Sequence, residues 1–302
     1  MEEKKHMEIK KEFPHINFLE NEPMSRHTTF RVGGPAGLFA SVAIEELSQL
    51  MTYCKDREIP VTILGNGSNV LVADAGIDGL VISLGKEASA MQVEGACITV
   101  EAGALLSQVA NAALEQGLGG LAFAAGIPGT IGGAVYMNAG AYGGEMKDVI
   151  QWVDVLLADG TQERWSAEQL DLSYRHSRMM EEQAIVLRTM LKLHPQDAKE
   201  IKAEMDNYRA RRQEKQPLEY PSAGSTFKRP EGYFAGKLIM DAGLAGYRVG
   251  DAAVSEKHCG FVVNLGQATA SDIRQLMQDV SDCVYDKFGV TLEPEVRFVG
   301  RF

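Results

Sequence analysis

Three short segments of this chain carry residue types that could do chemistry. In Leu172–Met179, LSYRHSRM, Arg175 and Arg178 flank His176. In Pro221–Pro230, PSAGSTFKRP, small residues precede Ser225, and the basic pair Lys228 and Arg229 follows it. In Leu292–Phe298, LEPEVRF, Glu293 and Glu295 lie two residues apart. On a strand these two would share a face, although Pro294 can distort the alternation. Cationic side chains of this kind bind phosphate and carboxylate, and carboxyl and hydroxyl groups can transfer protons. Each segment also has a plain reading: a solvated charged turn, an ordinary loop, an edge strand with hydrated carboxylates. No G-x-S-x-G elbow surrounds Ser225, which disfavours a hydrolase serine. His15, His27, His176, His194 and His258 show neither HxxxH nor HExxH spacing, so no metal site is expected.

Two glycine-rich elements could hold a ligand for such groups. From Gln116 to Gly144 the chain runs 29 residues without Asp, Glu, Lys or Arg, and ten of them are glycine. Gly and Pro interrupt its apolar run too often for a membrane helix. Its Leu, Ile, Phe, Val, Tyr and Met are out of place in a flexible linker. What remains is a compact surface where the main chain approaches a bulky ligand closely. With no acidic residue nearby, its N–H groups can face an anion. The ligand implied is large, partly flat and phosphate-bearing. The second element is the loop LGNGSNVLV, Leu64–Val72, between two apolar strands. It could hold a diphosphate or a ribityl-like chain, or be an ordinary β-turn. It is not G-x-G-x-x-G and no helix follows it, so a doubly wound nucleotide fold is not expected.

These groups must be positioned by the surrounding elements. Thr28–Ala40 reads as strand, glycine turn, strand, after a polar lead-in with a short helical turn. Residues 44–60 place Leu47, Leu50, Met51 and Cys54 on one helical face. Strands are expected at residues 61–64, 70–73, 80–84, and in alternating form over 89–103. A helix is expected at 105–120, and a strand pair around the Asp159-Gly160 turn. A charged helix with Ile201, Met205 and Tyr208 on one stripe spans roughly 195–216. Further on come a helix at 234–244, a strand at 261–266, and an amphipathic helix at 271–289. This last would bury Ile273, Leu276, Met277, Val280 and Val284, with Ser271 as N-cap and Gly289 as C-cap. A strand over residues 290–300 closes the chain.

Bulk properties fit a globular protein. The chain has 302 residues, 45% hydrophobic and 24% charged, enough for two or three structural units. A net charge of −11 argues against a nucleic-acid partner. The charged N-terminus MEEKKHMEIKKEF has no apolar core, so no signal peptide is expected. Cys54, Cys97, Cys259 and Cys283 lack CxxC spacing and read as buried thiols in a reducing cytoplasm.

Taken in order, TTFRVGG, ILGNGSNVLV, AGIPGTIGGAVYMNAGAYG, YRHSR, GSTFKRP, AGKLIMDAGLAGYRVGDAAVSEKHCGFVVN and LEPEVRFVG resemble the UDP-N-acetylenolpyruvoylglucosamine reductases. These are flavoenzymes of bacterial peptidoglycan precursor synthesis. The resemblance runs from about His27 to Phe302. It implies an α+β fold: an FAD-binding domain of the vanillyl-alcohol-oxidase type in two subdomains, plus a C-terminal α+β substrate-binding domain. The expected spans are a lead-in over 1–26, the FAD domain over 27–195 with a split near 85–90, and the substrate domain over 196–302. It implies non-covalent FAD, NADPH as co-substrate, and UDP-N-acetylglucosamine enolpyruvate as substrate, in a cytoplasmic monomer with no nucleic-acid or membrane partner.

The same resemblance implies roles for matched positions. Hydride would pass by way of flavin N5 to the enolpyruvyl group. Ser225 would be the proton donor, and Arg175 and Glu295 the pair supporting the enol intermediate. FAD would meet Leu64, Gly65, Asn66, Gly67, Ser68 and Asn69 in one element. In the other it would meet Ala125, Gly126, Ile127, Pro128, Gly129, Thr130, Gly132, Gly133, Asn138 and Gly140. Tyr174, Tyr220 and Lys228 would bind substrate. Arg229 departs from the family pattern, which usually has Asn there; it could add a phosphate contact or point to solvent. The short spacing between Arg175 and Ser225 resembles the compact subgroup that lacks an inserted tyrosine loop. Two rivals stay open: another FAD oxidoreductase of this fold, and a nucleotide-sugar-binding protein without turnover.

Overall fold

The computed structural model describes residues 2–302. They divide into two compact units that interleave along the chain. The first comprises residues 1–19, 38–66 and 79–211; the second comprises 20–37, 67–78 and 212–302. These bounds differ from the expected ones. The charged helix falls in the first unit up to Arg211, and two early segments fall in the second.

The first unit is built on a five-stranded antiparallel sheet. Its strands run in the order Gln162–Ser166, Ile150–Leu156, Ile185–Lys192, Cys97–Glu101, Met91–Glu94. Alternation puts Val153 and Val155 into the core, with Trp165 beside them, while charged partners such as Asp154 and Arg164 pair across the strands. The expected pair around Asp159-Gly160 is present. Helices α1 (Glu2–Glu12), α2 (Ile44–Asp56), α3 (Leu106–Glu115), α4 (Ile131–Tyr136), α5 (Arg178–Glu182) and α6 (Ala198–Lys215) belong wholly or mainly to this unit. The lead-in is thus a full helix rather than a short turn. Its Ile9 is completely buried, and Lys5 Nζ donates to the carbonyls of Arg57 at 2.6 Å and Glu58 at 3.1 Å, just beyond α2. α2 buries Leu47, Leu50 and Cys54 as expected, adds Ile44 and Tyr53, and leaves Met51 only half-buried. Val61–Leu64 pairs in parallel with Leu80–Ser83. α6 buries Ile201 and Met205 and half-buries Tyr208, the expected stripe.

The second unit holds α7 (Ala235–Asp241), α8 (Ala270–Phe288) and a small antiparallel sheet of Arg248–Val249, Ala252–Val254 and Val262–Asn264. α8 buries all five expected apolar residues, each contributing roughly 1.5–3 kcal/mol on burial. Gly289 ends it at φ 68, as expected. The N-cap is Thr269, not Ser271. Thr269 Oγ1 accepts from Asp272 N at 3.0 Å, and Asp272 Oδ2 accepts from Thr269 N at 2.9 Å. Residues 28–34 form no strand, contrary to expectation; they turn back on themselves, with Thr28 Oγ1 donating to Val32 O at 2.8 Å. The closing strand is only Arg297–Val299, and it pairs in parallel with Val70–Val72. Cys54 and Cys259 are buried, but Cys97 and Cys283 are only half-buried, short of the expectation. Burial pushes the Cys54 thiol up to about 12. No helix among the described residues is long and apolar enough to cross a membrane.

Candidate active site

The two glycine-rich elements meet inside the first unit. Asn66 Nδ2 donates to Pro128 O at 2.6 Å. A Cβ on Gly65 would lie 2.3 Å from Thr130 Oγ1, so a side chain there would push the two elements apart. Asn66, Gly126, Pro128 and Gly133 are exposed along this junction, whereas Leu64, Thr130 and Asn138 are buried. A Cβ on Gly133 would meet only Thr130 Oγ1, at 3.8 Å, so the backbone there faces open space. The glycine-rich stretch is not wholly irregular: it contains α4, which the sequence reading did not anticipate.

Arg175 belongs to the same unit. It sits at φ 54, in the left-handed region, at the tip of a turn. Its Nη1 donates to Asn138 O at 3.4 Å and its Nη2 to Gly140 O at 3.3 Å. The guanidinium also lies 4.9 Å from the ring centre of Tyr174, which is 47% exposed. Its sequence neighbours go elsewhere. Arg178 lies over the Trp165 ring at 4.0 Å, and His176 Nε2 faces Asp171 at 3.8 Å and Glu181 at 3.5 Å.

The rest of the first glycine element lies in the second unit, with Ser225 and Glu295. Gly67 has φ 60, and a Cβ there would sit 2.0 Å from His27 O, so only glycine is accommodated. Asn69 Nδ2 donates to Glu295 O at 3.1 Å, and Asn69 O accepts from Arg297 N at 2.9 Å. Glu295 N in turn donates to Thr226 O at 2.9 Å, and Lys228 N to Glu293 O at 2.8 Å. The GSTFK and EPE segments therefore run side by side, with Asn69 bonded to the second. Ser225 is exposed and Glu295 half-buried on these neighbouring chains. On the other side Thr226 N donates to Gly260 O at 2.9 Å, and Gly260 N donates to His258 Nδ1 at 3.1 Å. Burial lowers the His258 pKa.

Sequence reasoning missed the partners of the basic pair. Lys228 Nζ lies 3.1 Å from Glu293 Oε2. Arg229 is exposed; it donates from Nε to Tyr233 O at 3.2 Å and stacks over Phe234 at 4.0 Å. Tyr220 is 44% exposed. No group of three or more His, Cys, Asp or Glu among the described residues could hold a metal ion.

Residues 35–166 match the family model of an FAD binding domain. Residues 216–299 match the model described as UDP-N-acetylenolpyruvoylglucosamine reductase, C-terminal domain. The reductase of that name from Agathobacter rectalis is 55% identical, the match covering 97% of this chain and 98% of the relative. This chain belongs to the UDP-N-acetylenolpyruvoylglucosamine reductase family. The reductase from Caldanaerobacter subterraneus is 51% identical, over 93% of each chain. The crystal structure of the Thermus caldophilus reductase superposes with a TM-score of 0.81 at 38% identity, covering 94% of this chain and 98% of that one. The α+β fold class, an FAD binding domain together with the reductase C-terminal domain, is as expected.

FAD fits the residues present. The junction of the two glycine elements has an exposed backbone edge with open space at Gly133, and no charged side chain occurs from Gln116 to Gly144. In the second unit, beside Gly67, Thr29 Oγ1 is buried with no hydrogen-bond partner among the described residues, a polar atom suited to a ligand. Within this reductase, Asn138 departs from the expected flavin contacts. Its side chain is fully buried, and protein groups take both of its amide hydrogens.

Proposed function

We propose that this reductase converts the enolpyruvyl ether of UDP-N-acetylglucosamine enolpyruvate into the lactyl ether of UDP-N-acetylmuramate, with NADPH as reductant. FAD, when bound, supplies hydride transfer between NADPH and the terminal carbon of the substrate double bond. The carbon bearing the carboxylate then carries negative charge, delocalised as an enolate, and takes up a proton. Ser225 supplies that proton from Oγ and, being exposed, takes a replacement proton from solvent. Its exposed place between the EPE and HCGF segments suits a group that must reach substrate. Glu295, protonated, donates a hydrogen bond to the enolate, as a carboxyl kept neutral by its surroundings can. Arg175 offers a fixed guanidinium to the developing charge. Tyr174, Tyr220 and Lys228 bind the nucleotide sugar, Lys228 through its diphosphate.

The observation that carries this reading is the placement of Ser225 and Glu295 on hydrogen-bonded neighbouring segments, with Asn69 of the glycine loop bonded to Glu295. A nucleotide-sugar-binding protein without turnover would need no such donor. One anaerobic titration tests it. The FAD-loaded protein is followed by its flavin band while NADPH, then UDP-N-acetylglucosamine enolpyruvate, is added. Bleaching followed by full recovery is expected. Bleaching without recovery would move the substrate elsewhere within flavoenzymes, and no bleaching would discard the reductase reading. Ser225→Ala should bleach normally and recover slowly; unchanged recovery would remove the proton-donor role.

A further inference from the structure

We propose that Asn138 is the positioning residue for Arg175: its side chain fixes the turn that carries the arginine, and its backbone carbonyl receives the guanidinium. The proposal rests on the charge-stabilising role given to Arg175 above.

The turn is small and needs outside support. Ser173 and His176 exchange two backbone hydrogen bonds of 3.2 Å, leaving Tyr174 and Arg175 at the tip. Arg175 sits there at positive φ, a conformation that residues with side chains adopt only at a cost. Two anchors reach this turn from the end of α4. On one flank Ser177, fully buried, donates from Oγ to Tyr136 O at 2.6 Å. On the other, Asn138 donates from Nδ2 to Ser173 O at 2.9 Å. Asn138 O then accepts from Arg175 Nη1, so one residue holds both the base of the turn and the charged end of the side chain.

Asn138 is itself held in place. It lies at φ 41, where asparagine is better tolerated than most residues. Its second amide hydrogen goes to Glu145 Oε2 at 2.8 Å, and its Oδ1 accepts from Lys147 N at 3.0 Å. Glu145 stays ionised: burial alone would raise its pKa, but hydrogen bonds from Lys147 and Asn138, with the nearby charges of Lys147 and Arg175, more than offset this. A buried amide with all these bonds met has one orientation. Aspartate has nearly the same shape but no N–H for Ser173 O, and it would set a second carboxylate against Glu145.

The test compares Asn138→Asp, Arg175→Ala and the double variant as FAD-loaded enzymes. Three quantities are read: FAD retained per chain, the rate of bleaching by NADPH, and the rate of recovery with substrate. For Asn138→Asp, FAD retention near the parental value and bleaching within about 2-fold are expected, with recovery slowed roughly 30–100-fold, the scale of a misplaced catalytic group. In steady state kcat should fall by a similar factor while the substrate KM changes less than about 3-fold. The double variant should recover no more slowly than Arg175→Ala, because both changes remove one function. Multiplying effects in the double variant, or equal slowing of both half-reactions, would overturn the proposal. Recovery at the parental rate in Arg175→Ala alone would instead overturn the reading of Arg175, an outcome visible without any change at Asn138. If Asn138→Asp retains no FAD, Ser177→Ala removes the other anchor and must slow recovery alone; slowing of bleaching as well would sink the idea.

Discussion

At Lys228, ion pairing and ligand binding compete for one ammonium group. Its partner Glu293 is largely exposed, so the pair is screened by water and holds the lysine weakly. If Lys228 takes the substrate diphosphate, Glu293→Gln should free it and lower the substrate KM by about 2–5-fold, the scale of one exposed ion pair. Lys228→Ala should raise KM by roughly tenfold or more, since a charge-assisted phosphate contact is lost. Steady-state kinetics with varied substrate checks both; a higher KM in Glu293→Gln would mean that the carboxylate orients the lysine instead of competing for it. The sequence showed Lys228 and Glu293 as members of two separate motifs. It could not show their pairing, because that follows from an isolated backbone bridge, Phe227 to Pro294, between segments distant in the chain. The same limit applies to Asn138. Its motif suggested a ligand contact, while its buried bonds to Ser173, Glu145 and Lys147 needed coordinates to see.

At the scale of elements, α8 shows what periodicity reveals and what it hides. The apolar spacing identified all five expected core residues, because a buried helical face leaves a 3.6-residue repeat in the sequence. The cap was misplaced by two residues. Thr269 and Ser271 both suit an N-cap chemically, and only a distant residue decides between them. Asp74 accepts from Ala270 N at 2.7 Å, from Ser271 N at 2.9 Å and from Ser271 Oγ at 2.7 Å, which leaves capping to Thr269. Thr269→Ala should therefore cost about 1 kcal/mol in urea unfolding. Asp74 makes a pH-dependent contribution. Burial pushes its pKa up, but the bonds from Ser271 and Ala270 outweigh this, and the net pKa is depressed. A depressed carboxyl stabilises the fold above its unfolded pKa, near 3.9, and the stabilisation fades as pH falls through the folded value. Asp74→Asn should therefore lower Tm at pH 7, with the gap to the parent closing in strongly acidic buffer. A gap that stays constant with pH would show that the carboxylate charge is not what matters.

At the scale of the whole molecule, the chain order conceals how the second unit is made. The sequence placed a domain boundary near residue 195, at the start of the highly charged helix. Yet α6 buries Ile201 and Met205 in the first unit, and the second unit draws on residues far upstream. Its core takes in Phe30, Val32 and Leu71 from the early segments. Its closing strand, Arg297–Val299, finds its hydrogen-bond partner in Val70–Val72, and Asn69 bonds Glu295 across 226 residues. Periodicity and turn signals report local order, so pairings of this range leave no mark in them. The C-terminal segment cannot then be an autonomous domain. A fragment of residues 196–302 lacks the partner of its last strand, the Asp74 contacts at the start of α8, and three buried apolar side chains of its core. Each missing side chain withdraws roughly 1.5–3 kcal/mol of burial, which together rivals the whole stability of a small domain. The fragment should show no cooperative thermal transition by circular dichroism, while the intact chain does. A sharp transition in the fragment would mean that the early segments only decorate a core able to form without them.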